Sequence, residues 1–144
     1  MRRSLVLLLV LMALLVCGTP PVTPQPASTA ISVSGTWSGD WRNSRKESGK
    51  STLVIIEAAD GVITGEERDE NTRYGISNGH RAGNILTWEY RNVAEGCRDY
   101  TVRIEVASDV RTGDLTMSGS YSVDDRCREN YTGEYFNYTK APAP

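Results

Sequence analysis

One short pattern recurs four times in this chain: a large apolar residue, then Ser or Thr, then Gly, then a polar residue. The four copies are Trp37-Ser38-Gly39-Asp40, Ile63-Thr64-Gly65-Glu66, Met117-Ser118-Gly119-Ser120 and Tyr131-Thr132-Gly133-Glu134. Three of them run on into an aromatic residue, Trp41, Tyr121 or Tyr135. Side chains of an extended strand alternate between its faces. The apolar residue, the Gly and the aromatic therefore share one face, and the hydroxyl and the next polar residue share the other. Glycine on the apolar face of a strand marks a sharp bend or the close approach of another backbone. Strands of this kind predict one sheet that curls around a narrow interior.

The remaining sequence supplies more strands. Period-two patterning and turn residues predict eight, over 35–42, 51–59, 62–68, 72–77, 85–92, 99–107, 114–123 and 130–140. Alternation is cleanest in Tyr100, Val102, Ile104 and Val106, and in Leu115, Met117, Gly119, Tyr121 and Val123. Asp60-Gly61 is a tight-turn signal, 43–50 a solvated loop, and 78–84 a second turn cluster. The last strand is ambiguous: Tyr131 and Tyr135 fall on one face, Phe136 and Tyr138 on the other. No window past the N-terminal segment has a helical apolar period. The expected fold is all-β: an eight-stranded antiparallel up-and-down barrel, closed so that no strand edge is exposed.

The 144 residues fit one domain with two short leading segments. Arg2 and Arg3 precede an apolar run from Leu5 to Val16, the form of a secretory signal and too short to cross a bilayer comfortably. Two processing schemes compete. Leu14-Leu15-Val16-Cys17 resembles the lipobox of bacterial lipoproteins, in which Cys17 would be lipidated, although Val16 stands where that motif has a small residue. Alternatively, signal peptidase cuts after Gly18. A tether containing Pro20, Pro21, Pro24 and Pro26 follows, and it favours the anchored scheme. The segments are then a signal over 1–17, a disordered tether over 18–33 and a barrel domain over 34–140. The expected location is the cell envelope or the exterior, with membrane attachment through the lipid anchor alone.

Setting Cys17 aside leaves Cys97 and Cys127. A pair in an exported chain predicts a disulfide. Up-and-down order puts Cys97, between the fifth and sixth predicted strands, and Cys127, between the seventh and eighth, at the same barrel end. That end carries the more charged loops and is the expected mouth.

Gly35-Thr36-Trp37 at the start of the first strand, the eight-strand meander, and Lys140 at the end of the last strand together resemble the calycins. These include the lipocalins and the avidin-type barrels. The resemblance implies that Trp37 closes one barrel end with Lys140 packed over it. No biotin-binding constellation matches residue by residue.

Composition and motifs narrow the chemistry. Without Arg2 and Arg3, 14 basic side chains face 18 acidic ones, which leaves no basic footprint for nucleic acid. His80 is the single histidine and falls in the predicted turn cluster, so neither a nucleophilic triad nor a closed zinc site is expected. Glu66, Glu67, Asp69 and Glu70, with Asp124, Asp125 and Glu129, lack calcium-loop spacing and are expected to be solvated loop charge. Gly49-Lys50-Ser51 lacks the first glycine of a phosphate-binding loop. The sequons at Asn130 and Asn137 lie inside a predicted strand.

No catalytic residue, metal or cofactor is therefore expected, and the chain is not read as an enzyme. The candidate ligand-binding residues are Trp37, Trp41, Tyr74, Trp88, Tyr90, Tyr100 and Tyr121. Facing inward, these rings either fill the barrel or line a pocket for a small apolar or aromatic ligand. The alternative is a protein-binding module with an exported protein partner. Small exported bacterial barrels with one disulfide resemble inhibitors of lysozymes and proteases, and the disulfide-tied loops would make that contact.

Overall fold

The computed structural model describes residues 31–70 and 72–142. The expected signal, Cys17 and most of the expected tether lie outside the described residues. Nine segments follow in order: β1 (Gly35–Asn43), β2 (Ser48–Glu57), β3 (Val62–Arg68), β4 (Arg73–Gly75), β5 (Ser77–Ala82), β6 (Ile85–Val93), β7 (Arg98–Ser108), β8 (Leu115–Asp125) and β9 (Tyr131–Lys140). Neighbours pair antiparallel in chain order, and β1 bonds to both β2 and β9, which closes the sheet. β4 and β5 both lie along β3, with Glu66 opposite Gly75 and Val62 opposite His80. Between them the Ile76 N–H donates to the Gly65 carbonyl at 2.9 Å. The nine segments thus make eight staves of one barrel, as the alternation predicts.

Three details depart from the sequence reading. β2 begins at Ser48, inside the expected loop, because Gly49 pairs with Trp41 and leaves room for its indole. The 78–84 turn cluster is mostly strand. Asn78, at φ 51°, marks a bulge in β5, and only Gly83 and Asn84 make the turn. His80 consequently lies exposed in a strand. The third departure resolves the ambiguous last strand. Asp40 pairs with Phe136 while Ser38 pairs with Thr139, and Gly119 pairs with Tyr135 while Met117 pairs with Tyr138. β9 therefore carries one extra residue, Asn137, at φ 58°. Asn tolerates that left-handed conformation, and the bulge turns Tyr138 inward beside Tyr131 and Tyr135.

The barrel is closed at the end where β1 starts. Trp37 is fully buried there, and its Nε1 donates to the Val33 carbonyl at 2.9 Å. The Lys140 ammonium stands 5.9 Å from the Trp37 ring centroid, the packing that the calycin resemblance implies. Val33 is also fully buried, although the expected tether includes it. Its N–H donates to Glu57, and Glu57 in turn is ion-paired with Arg81 at 2.9 Å. Above this plug the core continues through Leu53, Leu86, Val102 and Ile104.

Candidate ligand-binding cavity

Strand order brings the loops after β1, β3, β6 and β8 to the opposite end. The disulfide joins Cys97 and Cys127 across two of these loops, with Cα atoms 5.5 Å apart. The Arg126 N–H also donates to the Cys97 carbonyl at 2.8 Å. Beneath the bridge Asp125 is 3% exposed. It accepts from Arg98 Nε at 3.0 Å, from Arg45 Nη1 at 3.3 Å and from the Cys127 N–H at 3.2 Å. Burial alone would raise its carboxyl, but the Cys127 amide and the two guanidinium groups outweigh that and hold it below the ordinary range. The Arg45 guanidinium also stacks 4.1 Å from the Tyr131 ring centroid.

Inside this rim lies a cavity of about 200 Å³. Its walls are tyrosine rings packed against one another. Tyr74 and Tyr90 have centroids 5.5 Å apart, Tyr100 and Tyr121 5.9 Å, and Tyr121 and Tyr135 5.0 Å. The pairs are tilted, the arrangement that ring quadrupoles favour. Room for so many rings comes from the recurring glycines. A Cβ on Gly133 would overlap the Tyr121 ring, and one on Gly39 would overlap the Tyr138 ring.

The cavity floor is polar. Glu67, 5% exposed, projects inward from β3 on the same face as Ile63 and Gly65. Its Oε2 accepts from the Tyr90 hydroxyl at 2.7 Å and the Tyr135 hydroxyl at 2.9 Å, and its Oε1 accepts from Ser51 Oγ at 2.5 Å. The Tyr138 hydroxyl shares a hydrogen bond with Ser51. Burial raises the Glu67 carboxyl above its ordinary value, the three hydroxyls oppose that, and the charge of Asp69 adds to it. Nearer the mouth, the Tyr74 hydroxyl donates to Asp69 at 2.9 Å and is pushed up to about 12, chiefly by burial. Tyr90 and Tyr135 are held well above the ordinary phenol range by burial and by Glu67. Phenols so placed stay protonated at neutral pH, which suits hydrogen bonding and not nucleophilic or base chemistry.

Five of the seven candidate rings, Trp41, Tyr74, Tyr90, Tyr100 and Tyr121, line this cavity together. Trp37 belongs to the closed end instead. Trp88 borders a separate pocket of about 10 Å³ beneath Glu67. Several lining residues escaped the sequence reading, among them Glu67, Tyr131 and Tyr135. Neither Glu67 nor Asp125 is solvated loop charge, as was expected of both. For Glu67 the parity with Ile63 and Gly65 was the signal. For Asp125 it was the parity with Tyr121 and Val123.

No protein-family model matches the chain, and no curated protein does. Solved structures do. It is similar to rhizavidin in complex with biotin, at 14% identity and a TM-score of 0.51, covering 78% of this chain and 98% of that one. It is also similar to short afifavidin in complex with biotin, at 15% identity and a TM-score of 0.51, covering 72% and 88%. Apo shwanavidin matches at 18% identity and a TM-score of 0.50, covering 72% and 95%. The chain has the fold of these avidin-type barrels. Identities this low carry the fold alone.

Proposed function

We propose that this chain is an exported, non-enzymatic binding barrel that holds a small apolar or aromatic ligand at its disulfide end. The observation that carries the proposal is the ring-walled cavity of about 200 Å³, bounded at the mouth by Asn43, Glu47, Asp69 and Arg98 and floored by Glu67. Concave sites with apolar walls and a few convergent polar groups are the usual form of small-ligand sites. Such sites commonly run from about 300 to 1,000 Å³, so the ligand is compact or projects from the mouth. Rhizavidin and short afifavidin are described in complex with biotin, which makes biotin the first compound to offer. The Arg2-Arg3 start, the Leu5–Val16 run and Cys17 support export with a lipid anchor.

The protein-binding alternative has less to support it. The strongly exposed large hydrophobics among the described residues, Ile31, Ile56, Val62 and Val110, lie toward the closed end and not on the disulfide-tied loops. Native mass spectrometry of the chain purified from its own host, followed by titration with biotin and small aromatic compounds, tests the proposal. A retained small mass, or uptake that a Tyr100→Leu variant loses, supports it. A bare protein that takes up none of these compounds overturns it.

A further inference from the structure

Resting on the small-ligand reading above, we propose that the ligand is a small organic cation, an ammonium on a ring or short chain, with its N–H groups toward Glu67 and its charge against the tyrosine faces. The Tyr90, Tyr135 and Ser51 hydroxyls each donate to Glu67, and the Tyr74 hydroxyl donates to Asp69. A hydroxyl has one proton to give. With those protons committed, these groups present lone pairs to whatever enters, as does the carboxylate. At the floor, a guest that brings N–H donors meets acceptors, whereas one that brings only acceptors does not.

Charge points the same way. Among the described residues no basic side chain is ion-paired with Glu67, whereas Glu57 has Arg81 and Asp125 has both Arg45 and Arg98. Arg98, the basic residue that lines the cavity, is already engaged by Asp125. Acidic lining comes from Glu47, Glu67 and Asp69. A buried carboxylate without a counter-charge is costly, and a cationic guest supplies one. The walls complete the case, because the faces of tyrosine rings attract cations and most strongly where water is excluded. At about 200 Å³ the cavity lies below the usual range of small-molecule sites, which suits a compact arylalkylammonium.

The test is isothermal titration calorimetry on the full chain with its disulfide intact, using benzylammonium and its neutral near-isostere benzyl alcohol. Benzylammonium is expected to bind at least about tenfold tighter. That preference shrinks in Glu67→Gln. Because Glu67 sits in the core, Tyr74→Leu on the short, half-buried β4 provides a second variant, in which benzylammonium loses more affinity than the alcohol. Equal or tighter binding of benzyl alcohol overturns the cation proposal and leaves small-ligand binding standing. A preference that survives both variants unchanged overturns the assignment of the site. If no small compound binds at all, and native mass spectrometry finds none retained, both readings fall together.

Discussion

Gly39→Ala gives the sharpest test of why glycines punctuate the inward faces. A methyl built on Gly39 would lie 2.5 Å from Tyr138 Cγ and 2.7 Å from Cε2, and closer still to Cδ2. Carbon atoms settle at about 3.5–4.0 Å, so the ring must retreat by about 1 Å. Spinning the ring gives no relief, because Cγ itself is in the way. Retreat must move the β9 backbone beside Asn137 or break the hydrogen bond between Tyr138 and Ser51. Tyr138 is 2% exposed and has little free space. Overpacking of this kind costs about 1–3 kcal/mol, and the lost hydrogen bond adds about 1 kcal/mol. The expected total of about 2–4 kcal/mol moves the urea midpoint down by roughly 1–3 M. A double-mutant cycle isolates the cause. Tyr138→Ala alone costs about 3–5 kcal/mol, but in the double variant the methyl added at Gly39 occupies part of the vacated volume. The two effects should therefore fall short of their sum by at least about 1 kcal/mol. Additive effects, or a Gly39→Ala midpoint indistinguishable from wild type, would refute the reasoning.

Glu67→Gln should change how stability depends on pH. Burial among Ser51, Tyr90 and Tyr135, with Asp69 nearby, places the folded-state carboxyl above its ordinary 4.5. The native state then binds the extra proton, so wild-type stability falls as pH rises from 4.5 through the folded value. The Gln variant lacks that decline, and urea unfolding at about pH 4, 6 and 8 should show it gaining on wild type; parallel curves would contradict this. Asp125 acts in the opposite sense. Its carboxyl is held below 3.8, so the stability it confers is lost as pH falls through its folded value, and Asp125→Asn should flatten the acid limb of a thermal-melt series. Reducing Cys97–Cys127, which closes a 30-residue separation, should cost about 3.6 kcal/mol in the loop-entropy model and roughly 10–20 °C of melting temperature. A calorimetric shift of a degree or two would mean that the rim holds together without the bridge.

Much of this architecture was legible in the chain. Alternation through Tyr100–Val106 and Leu115–Val123 is unbroken, so the staves, their order and the shared end of the two cysteines follow from period two alone. What escaped was whatever period two does not encode. Asn137 adds a residue to β9, and nothing local distinguishes a left-handed Asn inside a strand from an ordinary one. Asn78-Gly79 has the composition of a hairpin turn, yet there it is a bulge in β5. Face is readable but depth is not: Trp37 and Trp41 share a face of β1, yet one plugs the closed end and the other lines the cavity. Glu67 was grouped with its acidic neighbours along the chain, although parity aligned it with Ile63 and Gly65. For Glu67 the alternation of β3 was a better guide than proximity in sequence.

The surplus residue in β9 limits how this molecule can diversify. Deleting Asn137 would merge the ladders on either side into one regular run, with Tyr138 two residues after Tyr135 as Met117 is two before Gly119, and would keep all three tyrosines on the inner face. Moving the surplus residue past Tyr138 is what would turn that ring outward, and with it the hydroxyl that reaches Ser51 beside Glu67. Homologues with a single-residue gap at this position should therefore keep the floor, while a one-residue change elsewhere between Tyr131 and Tyr138 should coincide with a rebuilt floor and a different guest.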